Sequence, residues 1–142
     1  FHIFGDGDDL NKLKRDSQNI TYIKIYGYNN HDKILNVAKS CHYGLANYNP
    51  TVDFKMSIPN KIIEYLSYDL DIIYCLDGSS KRFLEKNKIG KYYKYNDQKS
   101  LENLLNSLEI NYNPYNFRSI YDKNFNPNKV YESYKNFIKK IL

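Results

Sequence analysis

The run Ser57-Ile58-Pro59-Asn60-Lys61-Ile62-Ile63-Glu64-Tyr65-Leu66 holds the residue types best suited to binding chemistry in this chain. Pro59 lacks an amide hydrogen and its fixed φ suits a first helical turn, while Ser57 can cap the amides that a helix start leaves free. The spacing therefore predicts a helix beginning at Pro59. Unpaired N–H groups and partial positive charge at such an end suit a phosphate. Ser57, Ile58, Asn60 and Lys61 would act there largely through backbone amides, with Lys61 adding a cation. Glu64 follows about a turn later, between apolar neighbours, and reads as an inward-facing carboxylate in need of partners. Sugar hydroxyls could supply them; the plainer alternative is an exposed helix glutamate paired with Lys61 or Tyr68.

Other chemistry is sparser. Gly5 and Gly7 form a Gly-x-Gly that either turns tightly or lets the backbone approach a ligand. Asp6, Asp8 and Asp9 lack the spacing of a calcium loop and its terminal bidentate glutamate. His2, His31 and His42 share no catalytic neighbour and no metal spacing. Cys41 and Cys75 form no Cys-x-x-Cys and read as buried free thiols. No metal and no cofactor is expected from these patterns.

The elements that must position these residues alternate. Residues 1–4 predict a short strand ending in the glycine loop, 8–15 a helix, 20–25 a second strand rich in β-branched and aromatic residues, and 27–30 a turn. A helix over 31–39, a strand over 43–46 and a long polar loop over 47–58 follow. Beyond the helix at Pro59 come a strand over 71–75, a helix over 79–87 capped by Ser79 or Ser80, and a strand over 91–95. Helical spacing then returns over 100–108, 115–121 and 128–142. Strands separated by helices predict an α/β fold with a Rossmann-like, doubly wound parallel sheet, whose ligands collect at the carboxyl ends of the strands.

At 142 residues the chain suits a single domain, and its first residue, Phe1, opens directly in an apolar run, as expected of a fragment. A formal charge of +5 and a pI near 9.0 permit attraction to phosphates, anionic lipid or nucleic acid. The lysines are spread along helix-like segments, so no nucleic-acid surface is expected. No apolar run approaches the roughly 20 residues of a membrane span, and no signal pattern opens the chain. The cytoplasm is the expected compartment, with any membrane contact peripheral and at its inner face.

The order Pro59-Asn60-Lys61-x-x-Glu64-Tyr65-Leu66, a short polar turn and then a strand resembles the nucleotide-sugar site of family 4 retaining glycosyltransferases of the GT-B fold. The segments around Gly5-Asp6-Gly7, residues 19–27 and residues 80–90 resemble that family's neighbouring elements. The resemblance implies the donor-binding, C-terminal domain of a bacterial enzyme of surface polysaccharide synthesis, without its acceptor domain and first donor-domain strand. It implies a nucleoside diphosphate sugar as donor, a glycan or lipid-linked acceptor, transfer without a metal, and no activity from this part alone. Glu64 would hold the ribose hydroxyls; Lys61, Asn60, Ser57 and Ile58 the diphosphate; Gly5 and Gly7 the ligand's approach; and Tyr26, Gly27 and Tyr28 the base. Met56 stands where many relatives carry a glutamate, and residues 69–71 replace their Gly-x-Pro turn. The same pattern would also serve a non-catalytic nucleotide-binding or protein-interaction domain.

Overall fold

The computed structural model describes residues 1–108 and 116–141. Among these the chain is α/β: eight helices, about half of the chain, are interspersed with five short strands that pair only in parallel. It divides into two compact units, Phe1–Cys41 and His42–Leu142.

In the first unit β1 (His2–Ile3) and β2 (Lys24–Ile25) are joined through α1 (Leu10–Asp16), and α2 (His31–Ala38) follows. The strand expected over 20–25 is reduced to its last two residues. The Ile20 amide instead donates to the Ser17 carbonyl at 2.9 Å and the Ile23 amide to that of Ile20 at 3.2 Å, closing successive turns. β-branched residues favour a pleated surface only where a neighbouring strand supplies one, and β1 supplies two residues. Asn30 caps α2, its side chain accepting from the Lys33 amide at 3.0 Å. Cys41 is only half-buried, so the expectation of two buried thiols holds for Cys75 alone.

In the second unit β3 (Tyr43–Ala46) leads through α3 (Val52–Met56) and α4 (Asn60–Ser67) to β4 (Asp71–Tyr74), and then through α5 (Ser79–Lys86) to β5 (Lys91–Tyr92). These strands lie in chain order, β3-β4-β5, so the reversal that defines a doubly wound sheet does not occur among them. All four residues of β4 are buried. Ile72 and Tyr74 join Ala46, Ile62 and Leu66 of α4, Leu84 of α5, and Phe117 and Ile120 of α7 (Phe117–Asn124) in one core. Ile73 and Cys75 belong to a second core with Tyr93, against Leu101, Leu104 and Leu105 of α6 (Gln98–Ser107) and Leu108 beyond it. A parallel strand covered on both faces reads as an unbroken apolar run. The last helix, α8 (Pro127–Ile141), packs against α7. Tyr115 and Leu142, expected at the ends of two helices, lie outside the described residues.

Several expected loops and caps are built differently. The loop expected over 47–58 contains α3, whose Phe54 ring lies 4.8 Å from that of Tyr48. Ser57 does not cap α4; its hydroxyl donates to the Asp53 carbonyl at 2.8 Å and closes α3, while Pro59 takes the N-cap position. Ser79 and Ser80 do not cap α5 either. Their hydroxyls donate to the Met56 and Ser57 carbonyls at 3.0 and 3.1 Å, tying the end of α3 to the start of α5. Gly78 is the N-cap of α5.

Residues 69–71, where a Gly-x-Pro turn was the comparison, carry two structural carboxylates. Asp69 adopts the left-handed conformation at φ 62° just past α4, and its side chain accepts from the Arg118 amide at 2.8 Å, at the start of α7. Arg118 returns a guanidinium N–H to the Ser67 carbonyl at 2.7 Å, so α4 and α7 cap one another. Buried Asp71 accepts from the Ile72 and Gly90 amides at 2.8 and 2.9 Å, with the Lys91 ammonium 3.9 Å away. It fastens the start of β4 to the turn before β5.

Candidate functional site

The residues with binding chemistry gather, in the second unit, where β3 ends and α4 begins. Ile62 and Leu66 turn into the core, and Asn60, Lys61 and Glu64 are exposed. The expectation of an inward-facing Glu64 is therefore corrected. A residue two positions from both Ile62 and Leu66 is rotated about 200° from each at 3.6 residues per turn, so its neighbours in sequence are not its neighbours on the helix. Glu64 takes part in none of the ion pairs among the described residues, so the expected pairing with Lys61 is not formed.

The charge of the carboxylate is felt by three phenols. Burial pushes the Tyr48 hydroxyl above its ordinary pKa, the Lys61 backbone amide directed at it draws it partly back, and the charge of Glu64 raises it again. Tyr65 is pushed up to about 12, chiefly by burial, with Tyr48, Glu64 and Tyr68 contributing. Tyr68 rises through burial and then Glu64. One exposed carboxylate thus acts on three tyrosines, and the α4 amide nearest Lys61 already meets a hydroxyl. Tyr65 is held in place from below: its hydroxyl donates to the Leu45 carbonyl at 3.2 Å, and a Cβ at Gly44 would fall 2.3 Å from its ring. Only glycine on β3 lets that ring lie so close to the strand.

The other carboxyl-end groups of this sheet are occupied with each other. Asp77, in the loop after β4, accepts from Lys81 at 3.1 Å and faces the Tyr92 hydroxyl at 3.5 Å, while the Lys81 ammonium sits 4.0 Å from the centre of the Tyr92 ring. Buried Cys75 directs its thiol to Asn47 Oδ1 and the Tyr48 carbonyl, both at 3.5 Å. Ile58 is half-buried against the core.

In the first unit the candidate residues have structural partners. The Gly5 amide donates to the Gly27 carbonyl at 2.9 Å, and the Gly7 carbonyl accepts from Leu10 at 3.0 Å at the start of α1. The Tyr26 ring stacks on Phe4 with centroids 4.5 Å apart and on His2 at 5.8 Å, and its hydroxyl lies 2.9 Å from His2 Nδ1. Tyr28 is 81% exposed, leaving its ring open to a planar ligand. Asp6, Asp8 and Asp9 are exposed. Among the described residues no group of three or more His, Cys, Asp or Glu side chains is placed to hold a metal ion. Asp71 and Arg118 were not singled out from sequence, because their partners lie 19 and 49 positions away in the chain.

The tyrosines make a pH prediction. Tyr65 and Tyr74 are both raised to about 12 by burial from an ordinary 10.0. Between these values the folded chain keeps protons that the unfolded chain has lost, so stability is whole below pH 10 and falls as pH rises towards 12. Urea midpoints measured across that range should decline steadily, and absorbance at alkaline pH should show a late-ionising fraction of the 16 tyrosines. A flat midpoint up to pH 12 would contradict the burial of these phenols.

Comparison with protein-family models, with curated proteins and with solved structures returns no match for this chain.

Proposed function

We propose that this chain is the nucleotide-sugar-binding part of a glycosyltransferase resembling the family 4 retaining enzymes, which passes a sugar from a nucleoside diphosphate sugar to a glycan or lipid-linked acceptor. The observation that carries the reading is the exposed Glu64 carboxylate, one turn into α4, whose charge acts on Tyr48, Tyr65 and Tyr68. Vicinal hydroxyls of a ribose can both donate to such a carboxylate. The Lys61 ammonium and the start of α4 would face the diphosphate, whose charge as a leaving group is stabilised by fixed cations and dipoles. The two parallel sheets are compatible with a Rossmann-like domain, and the doubly wound arrangement belongs to this proposal.

Calorimetric titration of the chain with UDP, GDP, dTDP and CDP tests it. One nucleotide should bind in preference, and Glu64→Ala should weaken it by about tenfold or more, the scale of hydrogen bonds to a charged group. Indifference to all four would favour the interaction-domain reading, and equal binding by the variant would remove Glu64 from the site.

A further inference from the structure

The last helix is amphipathic, and its apolar side, although the helix packs against α7, is largely open to solvent. Val130, Tyr131, Tyr134, Phe137, Ile138 and Ile141 recur at helical spacing on one side of α8, each between 39% and 66% exposed. Every described residue of the helix is exposed. Its other side carries Lys129, Lys135, Lys139 and Lys140 against a single acid, Glu132, whose carboxylate lies 3.7 Å from Lys135.

We propose that α8 lies flat on an anionic phospholipid surface. Charge complementarity selects this occupant. A second copy seated on the same stripe would have to bury roughly 800 Å² per partner for a stable dimer, and it would leave the lysines on the opposite side, on a chain of formal charge +5, without counter-charge. A bilayer carrying acidic headgroups meets both sides of the helix together. The apolar side enters the boundary of headgroups and acyl chains, tyrosine hydroxyls stay at the wet level, and lysine stems extend outward to the phosphates. The orientation follows from length: 15 residues span about 22 Å, short of the roughly 30 Å hydrocarbon core. No helix among the described residues is long and apolar enough to cross a membrane.

Co-sedimentation of the full chain with vesicles of phosphatidylcholine alone, and of phosphatidylcholine mixed with phosphatidylglycerol, tests the proposal. Binding to the mixed vesicles only, weakening as salt is raised, is the expected result. Phe137→Asp should abolish it, and Lys139→Glu with Lys140→Glu should reduce it roughly tenfold or more. Lys12→Glu with Lys14→Glu, the same charge change on α1, should leave most of the binding in place. Urea midpoints close to wild type would show that the α8 variants fold. Four results would overturn the proposal: no binding to either vesicle, equal binding to both, equal loss with the α1 variant, or a dimer in sedimentation equilibrium that Phe137→Asp dissolves without vesicle binding.

Discussion

Gly78→Ala should cost the second unit about 3 kcal/mol or more. The residue sits at φ 88° and ψ −133°, a conformation that side chains rarely adopt, and it opens α5 at the end of the loop that follows β4. A Cβ there would lie 2.2 Å from the Lys55 carbonyl oxygen and 3.0 Å from its carbon. Both obstacles are backbone, so no side-chain rotation relieves them. α3 would have to move away, and with it the bonds from Ser79 and Ser80 to the Met56 and Ser57 carbonyls. Total stabilities of domains are about 5–15 kcal/mol, so a loss of this size should be plain in a urea titration followed by circular dichroism. A midpoint within error of wild type would mean that α3 is not seated on this turn.

That contact also marks what the sequence conceals. β4 is legible because it is buried on both faces, which leaves Ile72-Ile73-Tyr74-Cys75 apolar throughout. α4 is legible from the i, i+4 spacing of Ile62 and Leu66 and from Pro59. α3 is not: five residues cannot hold a helix through their own propensity, and its seat comes from Phe54, Gly78 and two serine hydroxyls supplied from other parts of the chain. The serines at 57, 79 and 80 look like caps because each stands beside a helix start, and which acceptor a hydroxyl takes depends on tertiary neighbours that local pattern does not contain. Asp69 hides a turn in the same way. It takes the left-handed conformation usually given to glycine because its side chain is repaid by the Arg118 amide. At the candidate site, Glu64 reads from sequence as facing inward, and its exposure is not legible from its apolar neighbours. Tyr48 and Tyr65 come from different parts of the chain, and only the fold brings both under the influence of one carboxylate.

Leu66→Ala and Glu64→Ala, two positions apart on α4, should separate stability from binding. Leu66 is fully buried between β4 and α7 in the larger core, and its truncation should cost about 2–5 kcal/mol, the range for a buried leucine whose cavity cannot collapse completely. The cost should lie toward the upper part of that range, because Asp69, Arg118 and the Ser67 carbonyl hold α4 and α7 at a fixed separation and resist closing over the void. Glu64 points away from this core, so its loss should stay within about 0.5 kcal/mol, the usual scale for an exposed position. The two variants should therefore part in the two assays: Leu66→Ala lowers the urea midpoint and, below it, retains nucleotide affinity, whereas Glu64→Ala keeps the midpoint and loses affinity. If Glu64→Ala were itself strongly destabilising, the carboxylate would be a structural member of the Tyr48, Tyr65 and Tyr68 cluster. Lost affinity could then not be assigned to a contact with ligand. If Leu66→Ala cost under about 1 kcal/mol, α4 would be held by its caps and not by its buried face, and the rigid seat assumed for Glu64 would be gone.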